Sequence, residues 1–220
     1  MVLRGQLVEK YGAKSTAIVM GDESLIAPLL YSLPNTLGEV NITMGFPVAG
    51  SGLANLIIAY FKYQESITST RQEKVFVGRE ALINLINQSA LKTYLGRSFD
   101  SIKHGKSSYL GYEMVSTSLQ SVAEEERSLI GRLLIPQKNI TEAIDCLVDF
   151  LSAEYYAGKE QTSILSNGIR LALLKQLEEL KAELIATDFE VTYGILDKIL
   201  RESFKQLSTP FSGEPLAQLQ

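Results

Sequence analysis

The chain has 220 residues, 45% hydrophobic and 21% charged, with a mean hydropathy of +0.07: an ordinary globular composition, long enough for one large core or two small ones. No apolar run approaches the roughly 18 to 20 residues that span a bilayer, and the opening MVLRGQLVEKYG lacks the apolar segment of a secretory signal, so the expectation is a cytoplasmic protein with no membrane partner. Residues 1–110 hold 11 Lys and Arg against 8 Asp and Glu, and residues 111–220 hold 10 against 17, so a polyanion would prefer the first half.

LRGQLVEKYGAK reads as a helical turn closed by Gly12, which can take the left-handed conformation of a helix end. STAIVM follows as a strand, broken by Gly21 and Asp22, and SLIAPLLYSL then places Leu25, Leu29 and Leu30 on one helical face. Pro34 and Asn35 end that unit. VNITM is a second strand rich in β-branched residues, and GFPVAGSG a loop before the apolar helix LANLIIAYFKY. Two β-loop-α units in succession imply parallel pairing with a right-handed crossover.

From about residue 70 the pattern turns helical. VFVGREALINLINQSALKTYL is followed by a Gly- and Ser-rich interval from Gly96 to Gly111, read as a loop. Ser121 with Glu124, and Thr187 with Glu190, have the spacing of capping boxes, in which each side chain satisfies an unpaired amide at a helix start. Apolar stripes follow at Ile140, Ile144, Leu147, Val148 and Leu151; at Ile169, Leu173, Leu177, Leu180 and Leu184; and at Ile195, Leu196, Ile199, Leu200 and Phe204. These stripes are expected to pack on one another as a helical subdomain. The closing TPFSGEPLAQLQ offers neither a helix to cap nor a strand to close and reads as a connection cut before its destination.

The chemistry is marked by what is missing. No G-x-x-x-x-G-K-[ST] and no G-x-G-x-x-G is present, so this chain alone is not expected to hydrolyse ATP or hold a dinucleotide. One histidine, His104, and one cysteine, Cys146, cannot build a zinc site, and without a G-x-S-x-G no hydrolytic triad is in view. Cys146 falls near the apolar face of its helix and reads as a buried, inert thiol. Asp22 and Glu23 could bind Mg²⁺ at a strand end, but a helix start, where negative charge is favoured by about 0.3 to 1 kcal/mol, accounts for them without a metal. Glu124, Glu125 and Glu126 read as a solvated first helical turn. Gly50, Ser51 and Gly52 precede a helix whose free amides could meet an anion, though a tight turn and cap, which need no ligand, are the stronger reading. KTYLGRSFDSIKHGKSSYLGY interleaves Lys92, Arg97, Lys103, His104 and Lys106 with Tyr94, Phe99 and Tyr109, and is the best polyanion candidate, since charge attracts phosphates and rings stack on bases, although a solvated loop without a partner is the plainer reading of it.

Three stretches, TAIVMGDESLIAPLLYSLP, VNITMGFPV and PFSGEPLAQLQ, resemble the middle of a PD-(D/E)XK nuclease family protein of the AddB-type, UvrD-like helicase-nuclease architecture. The resemblance implies an α/β but predominantly helical fold: a partial RecA-like, P-loop NTPase-like unit over residues 1–66, an inserted helical subdomain over 67–207, and a return segment over 208–220. It implies a parent DNA exonuclease using Mg²⁺ and ATP, with DNA, the other domains of the same polypeptide and a helicase-nuclease subunit as partners. None of the phosphate-loop or nuclease residues lies in this chain, so no catalytic residue, metal ligand or cofactor is carried over. DNA backbone contacts are expected at Ser51 and Gly52 and, in the basic loop, at Lys103 and Lys106. The resulting expectation is a noncatalytic helicase-like segment of a DNA repair or recombination nuclease. The alternative is a self-contained α-helical protein-interaction module, suggested by amphipathic helices without an assembled site.

Overall fold

A helix with apolar residues on nearly every face must be surrounded by other elements, and GLANLIIAYFKYQE is that helix: α1, Gly52–Glu65. Ser51 starts it, its Oγ accepting from the Ala54 amide at 3.2 Å, and the Ser66 hydroxyl donates back to the Tyr63 carbonyl at its end. Tyr60, Phe61 and Tyr63 are fully buried, with the Tyr60 and Phe61 rings edge to face at 5.3 Å. The computed structural model describes residues 46–70, 72–95, 98–157, 164–187 and 191–209, with Ile18, Val19, Gly21, Leu25, Leu29 and Ser32 at isolated positions before them.

Eight further helices lie among the described residues: α2 Arg79–Ile86, α3 Ser89–Leu95, α4 Asp100–Lys103, α5 Tyr112–Gln120, α6 Glu124–Leu134, α7 Ile140–Ala157, α8 Ile164–Ala186 and α9 Tyr193–Gln206. α1 packs against α2, α3, α7, α8 and α9, which makes it the axis of one hydrophobic core. Each fully buried Leu, Ile or Phe side chain around it contributes about 1.5–3 kcal/mol. Lys181 near the end of α8 meets Asp145 near the start of α7 at 2.5 Å, so these two helices run antiparallel.

The strands are short. β2 Thr68–Ser69, β3 Val75–Gly78 and β4 Tyr109–Gly111 form a sheet in the order β2-β3-β4, antiparallel throughout, with Thr68 opposite Phe76 and Val77 opposite Leu110. Glu73, at φ 59°, takes the left-handed region in the turn between β2 and β3. β1 Phe46–Pro47 pairs antiparallel with β5 Ser208–Thr209, Phe46 opposite Thr209, and the Val48 amide donates to the Leu207 carbonyl at 3.0 Å. The chain therefore enters and leaves the helical body at one place. β5 lies against α8, where a Cβ on Gly168 would sit 2.9 Å from Thr209 Cγ2.

The chain is α/β and mostly helical, as expected, but the expected parallel sheet is not found: every strand pair among the described residues is antiparallel. STAIVM (beyond Ile18 and Val19), VNITM and the Gly12 turn lie outside the described residues, as do Asp22, Glu23 and everything after Thr209.

Local expectations need correction: Phe46 and Pro47, within the GFPVAGSG stretch read as a loop, form β1, and Thr209, which opens the closing segment expected to offer no strand, lies in β5 and pairs with Phe46. The Gly96–Gly111 interval contains α4 and β4, because Leu110 and Ile102 supply apolar anchors that bring it back onto the core. Ser121 does not begin a helix; it ends α5, its hydroxyl donating to the Ser118 carbonyl, and α6 starts after Ala123. Thr187 likewise donates to the Glu183 carbonyl behind α8, Glu190 lies outside the described residues, and α9 is capped by Thr192, whose Oγ1 accepts from the Ile195 amide. On α9 the apolar stripe is narrower than its spacing implies: Leu196, Leu200 and Phe204 are buried, whereas Ile195 and Ile199 are exposed.

Candidate nucleic-acid interface

The basic stretch begins beneath α2. Val77 is buried and Gly78 opposes Tyr109, so β3 delivers Arg79 to the first turn of α2 directly below the loop that runs from α4 to β4. The Arg79 amide donates to the Ser108 carbonyl at 2.9 Å, and its guanidinium donates to the carbonyls of Ile102 and Ser107. Gly105 crosses the guanidinium so closely that an added Cβ would collide with it. One side chain thus fastens both ends of the loop. Its carbonyl partners are uncharged, so the positive charge of Arg79 is not cancelled there.

Lys106 and His104 are exposed on this loop. Lys103 at the end of α4 is half-buried and its ammonium is paired with Asp100 at 2.9 Å, which leaves Lys106 the freer of the two predicted contacts. Lys92 is exposed on α3, and Arg97 lies outside the described residues. The aromatic residues divide sharply. Phe99 is buried and Tyr94 is partly buried against the core, whereas Tyr109 is 53% exposed.

Ser51 and Gly52 are placed elsewhere. The Ser51 side chain is occupied as the cap of α1, and a Cβ on Gly52 would lie 3.2 Å from Ser89 Oγ, so the turn is packed against the start of α3. The basic loop attaches instead through Gly78, whose amide donates to Ser66 Oγ at 3.1 Å at the opposite end of α1. Some 20 Å of helix, at about 1.5 Å per residue, separates Ser51 from Ser66, where the loop is attached. The two predicted contact points do not form one site.

The remaining titratable chemistry is buried. Cys146 lies in the core with its thiol pushed up by burial, as its helical position suggested. The Tyr60 and Tyr63 hydroxyls are raised far above the ordinary phenol range, chiefly by burial. An open cleft of about 650 Å³ between the starts of α7 and α9 and the end of α8 is lined by Ile140, Leu184, Ile185 and Tyr193 together with Glu65, and assembles no carboxylate pair. Among the described residues no group of three or more His, Cys, Asp or Glu could hold a metal ion, and no helix is long and apolar enough to cross a membrane.

Arg79 is the functional residue that sequence reasoning passed over. REALINLI reads as helix, and nothing local marks its first residue as the support of a loop more than twenty positions later. The available signal was Gly105, a glycine flanked by basic residues where another backbone or side chain comes close. No family model, curated protein or solved structure matches the chain.

Proposed function

We propose that this chain is a noncatalytic, helicase-like segment of a DNA repair or recombination nuclease, in which the helical body is an insertion into a RecA-like unit and contributes scaffold and DNA backbone contacts. The observation that carries the reading is the β1–β5 pair. Phe46–Pro47, which close NITMGFP, pair with Ser208–Thr209, the residues just before PFSGEPL, so the described ends of the helical body lie side by side. An inserted subdomain needs this geometry, because its two connections must return to neighbouring positions of the host. The insertion then runs from Val48 to Leu207 and includes α1, which the sequence assigned to the host unit.

The DNA-contacting part falls on the loop fastened by Arg79, with Lys106 as the principal cation and Lys103 as the secondary one. Anisotropy titrations of the chain with labelled single-stranded and duplex DNA test it. Binding is expected to weaken as salt rises, and Lys106→Ala to flatten that dependence by about 0.7 to 0.9 in the log–log slope. Absence of binding at low salt removes the DNA contact from the reading.

A protein-interaction module is the second reading, favoured by Ile185, Ile195 and Ile199, which are 67%, 42% and 41% exposed on α8 and α9. Sedimentation velocity with pull-down tests it: a strict monomer that retains no protein partner eliminates it.

A further inference from the structure

We infer that the loop from Lys103 to Tyr109 is built for single-stranded rather than duplex nucleic acid, with Tyr109 as the ring on which one base stacks and Lys106 on a neighbouring phosphate. The inference rests on the nucleic-acid reading above and adds the class of strand.

β4 alternates, so Leu110 points into the core and Tyr109 points out. The residue directly opposite Tyr109 is Gly78, which has no side chain to cover the ring, and a side chain there is precluded because a Cβ would lie 2.8 Å from that of Ser66. The ring is open for a structural reason. Its backbone is nevertheless fixed, by the pairing with Gly78 and by the Ser107 hydroxyl, which donates to the Tyr109 carbonyl at 2.6 Å. The Arg79 guanidinium holds the rest of the loop, so little ordering remains to be done on binding.

Charge alone does not distinguish this loop. Asp100 is paired with Lys103, and Glu80 and Glu113 are exposed in the first turns of α2 and α5 on either side. The charge around the loop is therefore mixed, acids standing beside Arg79 and the lysines, and a duplex, whose base faces are hidden in its stack, would find only phosphate contacts here. A single strand exposes its base faces, and base–aromatic stacking does not depend on net charge. Tyr109 follows Lys106 by three positions, a reach of at most about 11 Å, so one strand can offer a base to the ring and a phosphate to the ammonium.

The test is an anisotropy titration of the 220-residue chain with fluorescein-labelled oligothymidylate and with a duplex of equal length, at low salt. Oligothymidylate is expected to bind more tightly. Tyr109→Ala should lower its affinity about tenfold and Tyr109→Phe should retain it, while Lys106→Ala gives a smaller loss with a shallower salt dependence. Circular dichroism checks each variant, and Tyr109→Leu, which keeps apolar bulk without a ring, reads the same loss if the alanine variant does not fold. Preference for duplex, or unchanged oligothymidylate affinity in both ring-less variants, overturns the inference and leaves the wider DNA reading standing. No binding of either nucleic acid overturns both.

Discussion

Gln64 carries an amide into the core on α1 and uses both of its ends. Its Nε2 donates to the Ile135 carbonyl at 3.1 Å and, more weakly, to that of Leu133 at 3.4 Å, while its Oε1 accepts from the Gln137 amide at 3.1 Å. The adjacent Tyr63 hydroxyl donates to the Leu134 carbonyl at 2.8 Å. Three successive carbonyls at the end of α6, groups that a helix cannot satisfy internally, are therefore satisfied by two side chains of α1. Tyr60 is the contrasting case: its hydroxyl is equally buried and faces Cys146 and Gln64, but reaches no partner in full hydrogen-bonding geometry. Tyr63→Phe is accordingly expected to cost about 1–2 kcal/mol in urea denaturation, and Tyr60→Phe to fall within about 0.5 kcal/mol of the parent or to stabilise it. A cost for Tyr60→Phe equal to that of Tyr63→Phe would refute the assignment. Both phenols also set an alkaline limit. Their folded pKa values lie above the unfolded ones because burial disfavours the phenolate, so their stability contribution is complete below about pH 10 and is lost as pH rises further. Above that pH the unfolding free energy should fall by about 1.4 kcal/mol per pH unit for each of these two tyrosines, joined by Tyr112 and Tyr193, whose phenols burial also raises, and preceded by a decline from Cys146, whose thiol burial pushes up.

The start of α7 shows how far a helix terminus can be read from sequence. Asn139 Oδ1 accepts from the Glu142 amide at 2.8 Å and the Glu142 carboxylate accepts from the Lys138 amide at 3.2 Å, a reciprocal cap. Asn139→Ala should cost about 1 kcal/mol, whereas Ser121→Ala and Thr187→Ala, whose hydroxyls only donate back into the helices they end, should stay within about 0.5 kcal/mol in thermal or urea unfolding. The spacing that defines this cap is the one sought at Ser121 and Thr187; it was present with Asn in place of Ser or Thr. The bodies of α7, α8 and α9 were legible because their Leu and Ile recur at helical intervals, a local property of the chain. β4 was not, since YLG is three residues long in a Gly- and Ser-rich interval and becomes a strand only by pairing with β3, some thirty positions earlier. The exposure of Ile195 and Ile199 was hidden for a related reason: periodicity reports which side chains share a face, and only packing decides how wide a face is covered. At the candidate site, Lys103, Lys106 and Tyr109 could be read from residue type, while the pairing of Lys103 with Asp100, the burial of Phe99 and the support from Arg79 are tertiary facts.

At the scale of the whole molecule, α1 determines where the chain can be divided. It fills the centre of the core, Phe61 meets the Tyr193 ring of α9 at 6.3 Å between centroids, and Tyr63 and Gln64 finish α6. A boundary after residue 66 would remove that axis from the helices it supports. The boundary that the contacts favour lies at the β1–β5 pair, where Val48 and Leu207 are joined by a backbone hydrogen bond and the two described ends of the helical body, Phe46–Pro47 and Ser208–Thr209, lie side by side. The two divisions differ in a measurable way. Residues 46–209 produced alone should retain the helical circular dichroism of the described body and unfold in urea in one cooperative transition, because their core is complete. Residues 67–209 should lose that transition, since burial of Leu196, Leu200 and Phe204 depends on α1. If the shorter segment unfolds as cooperatively as the longer one, α1 is dispensable to the helical core and the boundary near residue 67 stands. If only the longer segment does, α1 is part of the helical body, and that body is bounded by the paired β1 and β5.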